Sequence, residues 1–192
     1  MNIQDYFPNT RHRWLTKPLQ ARAYQPWLVD NGSLTRRLQQ RYPDFTVRPL
    51  SQVVAKPLVD EAGVLQVRPH QQALVREVLL MGGGQHVVFA HSVLPQASLR
   101  GTWHGLGQLG SKPLGATLFA NPKVKRTPLR YKKLTAHHAL YTLAVQHLAS
   151  KPASLWARRS MFSLNCTGRR RQTIMVTEVF LPCLLNLNLT AA

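Results

Sequence analysis

The sequence predicts an α+β fold in a single domain spanning residues 1–192, an antiparallel β-sheet with helices packed on it. Two stretches carry the alternation and turn chemistry of β-hairpins, and helical segments precede and separate them. The chain of 192 residues, 44% of them hydrophobic, is long enough to bury one core without disulfides or metals.

The N-terminal third is punctuated by Pro18, Pro26, Pro43, Pro49 and Pro57, so helix and loop are expected there. Within it residues 33–40 read as a short helix, with Ser33 as its N-cap after Gly32. Residues 73–80 suit a strand, residues 81–85 (Met-Gly-Gly-Gly-Gln) supply a turn, and residues 86–94 suit the return strand before Pro95. The same logic makes a second hairpin of residues 160–166 and 172–181 around the turn 167–170, ended by Pro182. Between the hairpins lie a glycine-punctuated segment, 101–119, and a long helical candidate, 131–149, with Leu134, Tyr141, Val145 and Leu148 on one stripe.

Charge dominates the composition. Twenty-five Lys and Arg against seven Asp and Glu give +18, which concentrates anions around the chain, so an anionic partner is expected. Five of the seven acids fall within the first 61 residues, and residues 62–192 hold sixteen Lys and Arg but only Glu77 and Glu178. An acid kept in that background needs a reason. The first 15 residues have no apolar run, which argues against a secretory signal, and no stretch approaches the roughly 20 apolar residues of a membrane span. A cytoplasmic protein without a transmembrane segment is expected. Cys166 and Cys183 fit none of the paired zinc spacings, and a reducing compartment argues against a structural bridge.

Two residues stand out as candidates for chemistry. In the last strand Ile174, Val176, Glu178 and Phe180 share one face by the period of two, so a carboxylate stands in an apolar row. In the first hairpin Arg76 likewise shares a face with Leu74, Val78 and Leu80. Either Arg76 and Glu178 satisfy each other as a buried salt bridge, or a ligand lies between them. No metal is expected: His137 and His138 point about 100° apart on a helix, and the segment has no acid to complete a site. No nucleophile motif is recognisable, and residues 82–84 read as a turn rather than a phosphate cradle. The basic run 123–133 and the triplet 169–171 read as solvated faces.

Five segments in order resemble chorismate pyruvate-lyases of the bacterial ubiquinone pathway: Asp30-Asn-Gly-Ser-Leu-Thr-Arg-Arg-Leu38, Val75-Arg-Glu-Val-Leu-Leu80, Leu109-Gly-Ser-Lys-Pro-Leu-Gly115 with Leu118-Phe119, Leu155-Trp-Ala-Arg-Arg-Ser160 and Thr177-Glu-Val-Phe-Leu-Pro182. The resemblance covers residues 27–182. It implies an internal site under helix-turn-helix flaps and a lyase that splits chorismate into 4-hydroxybenzoate and pyruvate. Arg76 would bind the ring carboxylate, Glu178 the 4-hydroxyl end, Leu34 and Leu114 would line the pocket, and Arg159 is the candidate for the second carboxylate. The resemblance also implies no cofactor, because the C4 hydrogen of chorismate can pass to the enolpyruvyl methylene through a six-membered arrangement as the C3–O bond breaks. Relative to shorter members, residues 130–152 form an insertion expected to add a surface helix away from the site, and residues 183–192 form a tail of underived role.

Two other readings compete. One is a non-enzymatic ligand-binding module like the effector domain of GntR-type regulators, but no helix-turn-helix pattern precedes the hairpins. The other is a basic nucleic-acid-binding protein, but the basic residues are scattered and accompany no recognition motif, so no specific nucleic acid is expected. A monomer is the expected state.

Overall fold

The computed structural model describes residues 13–68, 70–99, 103, 105–106, 110–164 and 172–186. Its strands are β1 (Thr46–Ala55), β2 (Ala73–Gly82), β3 (Gln85–Pro95), β4 (Lys125–Arg126), β5 (Arg130–Leu134), β6 (Leu155–Leu164) and β7 (Gln172–Phe180). They form one seven-stranded antiparallel sheet in the order β1-β2-β3-β7-β6-β4, with β5 pairing another part of β6. The helices are α1 (Gln25–Leu28), α2 (Leu34–Arg41), α3 (Val59–Ala62), α4 (Gln96–Leu99), α5 (Leu114–Ala120) and α6 (Ala139–Val145). None of the helices among the described residues is long and apolar enough to cross a membrane.

Both expected hairpins form. The β2–β3 turn works because Gly83 and Gly84 take positive φ of 58° and 67°, conformations that cost glycine little. Their N–H groups both donate to the Asp44 carboxylate at 2.8 Å. In the second hairpin Leu164 lies opposite Gln172 and Arg158 opposite Glu178; its expected turn, with Cys166, lies outside the described residues. β3 pairs β7, with Ala90 opposite Glu178, and so joins the two hairpins into one sheet.

The sheet buries both faces. On one, α2 (Leu34, Leu38) covers Val78, Leu80, Ala90, Trp156 and Phe180, and α5 (Leu114, Leu118) covers Leu74, Leu94, Phe162 and Ile174. On the other, α6 (Leu140, Ala144) packs on Leu79, Phe89, Leu155, Ala157 and Val179. Ser33 caps α2 as expected, its hydroxyl accepting from the Arg36 N–H at 3.3 Å.

Three expectations are corrected. The N-terminal third contains a strand, β1, hidden in the sequence by Pro49; β1 is an edge strand and its register shifts between Pro49 and Ser51, where a missing N–H is tolerated. Residues 131–149 are not one helix: Arg130–Leu134 pairs with β6, and the helix is only Ala139–Val145. The edge offered by β6 overrides the helical period, and Leu134, Tyr141 and Val145 still enter one cluster. Residues 130–152, expected as an insertion on the surface, therefore contribute to the core, with Leu140 and Ala144 fully buried. The start of the tail, Pro182–Leu185, is a 3-10 turn that buries Leu184.

A Cβ on Gly82 would lie 2.4 Å from the Tyr42 ring, which is itself buried. Gly82→Ala should therefore destabilise the fold by about 1–3 kcal/mol through overpacking, read as a lower urea midpoint at unchanged slope; an unaltered midpoint would show that the ring moves freely.

Candidate active site

The site is built by the period of two on four adjacent strands. Arg76 on β2 lies opposite Ser92 on β3, Ser92 opposite Val176 on β7, and Val176 opposite Ser160 on β6. The next row is Val78, Ala90, Glu178 and Arg158. Arg76 and Glu178 thus point from the same face, two strand spacings or about 10 Å apart across the sheet. That leaves room for a small ring between them.

They do not satisfy each other. Glu178 Oε2 accepts from Arg158 Nε at 2.5 Å, and Arg158, fully buried, also donates to the carbonyl oxygens of Trp27 at 2.8 Å and Asp30 at 2.6 Å. Arg76 donates instead to the carbonyl oxygens of Gly110 at 2.9 Å and Lys112 at 3.2 Å. Burial alone pulls the Arg76 pKa below its ordinary value.

Arg76, Glu178, Leu34 and Leu114 line one cavity, whose empty space with its open mouth included is about 550 Å³. The sheet supplies its floor through Val78, Ala90, Ser92 and Val176, and α2 and α5 cover it. The two covers meet where Gly115 faces Thr35: a Cβ on Gly115 would lie 3.2 Å from the Thr35 hydroxyl. The carbonyl groups held by Arg158 belong to the α1–α2 cover, and those held by Arg76 to the segment entering α5. Each arginine therefore fastens one cover to the sheet.

Arg159 is not part of this cavity. Adjacent residues of a strand face opposite ways, and Arg159 points to the other side, where NH1 donates to Asp60 Oδ2 at 3.0 Å and the guanidinium stacks 4.2 Å over Trp14. Trp14 Nε1 and His138 Nε2 also face Asp60 Oδ2, at 2.8 and 3.5 Å. Beside them His91 lies between Glu77 Oε1 at 3.1 Å and Glu61 Oε1 at 3.2 Å, the latter an ion-pair contact outside hydrogen-bond alignment. Burial opposes charge on His91, but the two carboxylates raise its pKa to about 9. Among the described residues no group of three or more His, Cys, Asp or Glu side chains is arranged to hold a metal ion.

Two cavity-side residues escaped the sequence reading. Arg158 depends on hairpin register: with Leu164 opposite Gln172, position 158 falls opposite Glu178, whereas a hairpin turning at 167–170 puts 159 there. Arg126, within the basic run read as a solvated face, lines the cavity, with its guanidinium 5.3 Å from the rings of both Phe119 and Phe162. Its strand has two residues, too short for any periodic signal.

The sequence profile of the family described as chorismate lyase matches residues 11–187. The chain belongs to the chorismate lyase family. A relative from Methylobacillus flagellatus named "Probable chorismate pyruvate-lyase" is 51% identical over 93% of this chain and 98% of its own. One of the same name from Thiobacillus denitrificans is 46% identical over 91% of both chains. Among solved structures, the effector domain of PhnF from Mycobacterium smegmatis matches with a TM-score of 0.53 at 15% identity, over 79% of this chain and 90% of that one. A GntR-family regulator from Bacillus cereus matches at 0.52 and 11%, over 78% and 99%. The chorismate lyase family thus shares its scaffold with regulator domains.

The cluster behind the site predicts a pH dependence for this family member. The folded pKa of His91 stands above the ordinary 6.5, so its contribution to stability is complete below that value and is lost as pH rises through about 9. The urea midpoint should fall between pH 7 and pH 10, and His91→Gln should be less stable at pH 7 but flatter across that interval. Parallel pH profiles for the two proteins would rule out His91 as the source.

Proposed function

We propose that this protein is a chorismate pyruvate-lyase that releases 4-hydroxybenzoate and pyruvate, with Arg76 binding the ring carboxylate and Glu178 the 4-hydroxyl group. One observation carries the assignment of roles: a buried guanidinium with no acid partner among the described residues and a carboxylate held by its own arginine face one cavity. A carboxylate ligand offsets the cost of the buried Arg76 charge, and the bidentate fork suits it. The Glu178 carboxylate accepts a hydrogen bond from the hydroxyl at the opposite, para position of the ring.

The chemistry then asks little more of the protein than orientation. The hydrogen on C4 moves to the enolpyruvyl methylene, which becomes the methyl group of pyruvate, the C3–O bond breaks to leave the pyruvate ketone, and the C3–C4 double bond completes the aromatic ring. Holding the flexible dianion in the arrangement where C4–H meets the methylene contributes on the order of 7 kcal/mol or more. The Glu178 carboxylate stabilises positive character developing at C4 through the hydroxyl it binds. The covers α2 and α5, fastened by Arg158 and Arg76, exclude water and hold the ring against the sheet.

Purified protein incubated with chorismate should generate 4-hydroxybenzoate, followed by absorbance; no product would overturn the reading. Arg76→Ala should weaken chorismate and 4-hydroxybenzoate binding together by about 2–5 kcal/mol, with Lys restoring only part because it lacks the fork. Unchanged affinity for 4-hydroxybenzoate would remove Arg76 from the site.

Glu178→Gln separates catalysis from scaffolding. It leaves Arg158 its main-chain acceptors but not its counter-charge, so some stability should be lost. If Glu178 acts on the substrate, single-turnover rates per folded molecule should fall as well. A variant that melts earlier yet is fully active per folded molecule would assign Glu178 to structure alone.

A further inference from the structure

Chorismate carries two carboxylates, one on ring carbon C1 and one on the enolpyruvyl arm at C3, and Arg76 accounts for the first only. C3 neighbours C4, so when the 4-hydroxyl sits on Glu178 the arm leaves the ring beside that carboxylate. The second cation lining the cavity among the described residues is Arg126. Across the sheet, Arg76 on β2 lies two strands to one side of Glu178 on β7; on the other side come β6 and then β4, which carries Arg126 opposite Phe162. Electrostatics agree with this order. Burial lowers the pKa of both guanidinium groups, but for Arg126 the first opposing influence is Glu178, whereas no carboxylate acts on Arg76.

The Arg126 fork is oriented without a carboxylate. Nε donates to Ser160 Oγ at 2.8 Å and NH1 to the Asn31 carbonyl at 3.0 Å, while the Phe119 and Phe162 rings each lie 5.3 Å from the guanidinium. The alternatives fail on geometry: Arg158 is fully buried and absent from the cavity lining, with Nε on Glu178 and NH1 on main-chain carbonyls, and Arg159 lies on the opposite face.

We propose that Arg126 binds the enolpyruvyl carboxylate and is the residue by which the site distinguishes the dianionic substrate from its monoanionic aromatic product. This rests on the lyase reading. Because Arg158 neutralises Glu178, the remaining cavity charges, Arg76 and Arg126, match a dianion one for one. When the C3–O bond breaks, the arm's carboxylate departs with pyruvate, and Arg126 loses its counter-ion while Arg76 and Glu178 keep theirs.

The test compares wild type, Arg126→Met and Arg126→Lys in steady-state kinetics with chorismate, in direct titration with 4-hydroxybenzoate, and in thermal melts. Arg126→Met should lower kcat/KM for chorismate at least about 50-fold while the 4-hydroxybenzoate Kd stays within about threefold, and Lys should recover part of the loss. An unimpaired kcat/KM, or equal losses for both ligands, would overturn the assignment, the second outcome marking Arg126 as a fastener of the covers. If the Met variant melts below the assay temperature, Arg126→Lys decides by the same two ligands: selective loss for chorismate supports the assignment and a uniform loss or none defeats it. Wild-type protein inert towards chorismate defeats the lyase reading itself, whereas active wild type with an unimpaired variant defeats only the role of Arg126.

Discussion

The buried ion pair between Arg158 and Glu178 is the constraint on which the site depends. A fully buried guanidinium needs a carboxylate and hydrogen-bond acceptors to offset its desolvation, and here Glu178 takes Nε and the carbonyl groups of Trp27, Leu28 and Asp30 take NH1, while NH2 is buried without a partner. The pair therefore performs two tasks at once. It gives a carboxylate on an apolar strand face its hydrogen-bond partner, and it fixes the α1–α2 cover to the centre of the sheet through the main chain. Removing either partner would strand a buried charge, a cost of about 3–5 kcal/mol.

The scarcity of acid gives this arrangement its specificity. Each described acid has a defined partner: Asp30 holds Gly32 N–H and Arg37, Asp44 the β2–β3 turn, Asp60 Trp14 and Arg159, Glu61 the Leu58 N–H and His91, Glu77 Ser51 and His91. Glu178 is the one whose face opens on the cavity. The rest of the surface is overwhelmingly cationic at +18, a field that raises the local concentration of a small dianion. Long-range attraction is thus nonspecific, and the discrimination falls to the few charges inside.

Hairpins, their faces and the pair Arg76 and Glu178 were legible because each is written in local alternation and turn residues. Partner identity was not. The adjacent arginines 158 and 159 face opposite sides of β6, and a shift of one residue exchanges the site residue for the one that holds Asp60. Hairpin register resolves them, whereas composition cannot. β1 was hidden by Pro49, and β5 by a spacing that suits a helix until the free edge of β6 claims it. Arg126 was illegible for another reason: its position is set by two residues of strand and by tertiary contacts to Asn31, Ser160, Phe119 and Phe162.

The likeness to regulator domains at 11–15% identity shows that the scaffold alone does not select chemistry. A sheet face roofed by short helices makes a small closed cavity whatever lines it. For a reaction that needs orientation more than a nucleophile, the step from binding to turnover is a change in where charge sits on that floor. In the proposed roles, a guanidinium on β2 and an arginine-held carboxylate on β7 would hold a para-substituted ring by its two ends. Those two contacts would hold substrate and product alike, so affinity at these two points would not by itself accelerate the reaction. Acceleration requires the side arm to be held as well, in the geometry where its methylene meets C4–H. The residues that make this fold an enzyme must therefore include one that touches the part of the substrate the product lacks.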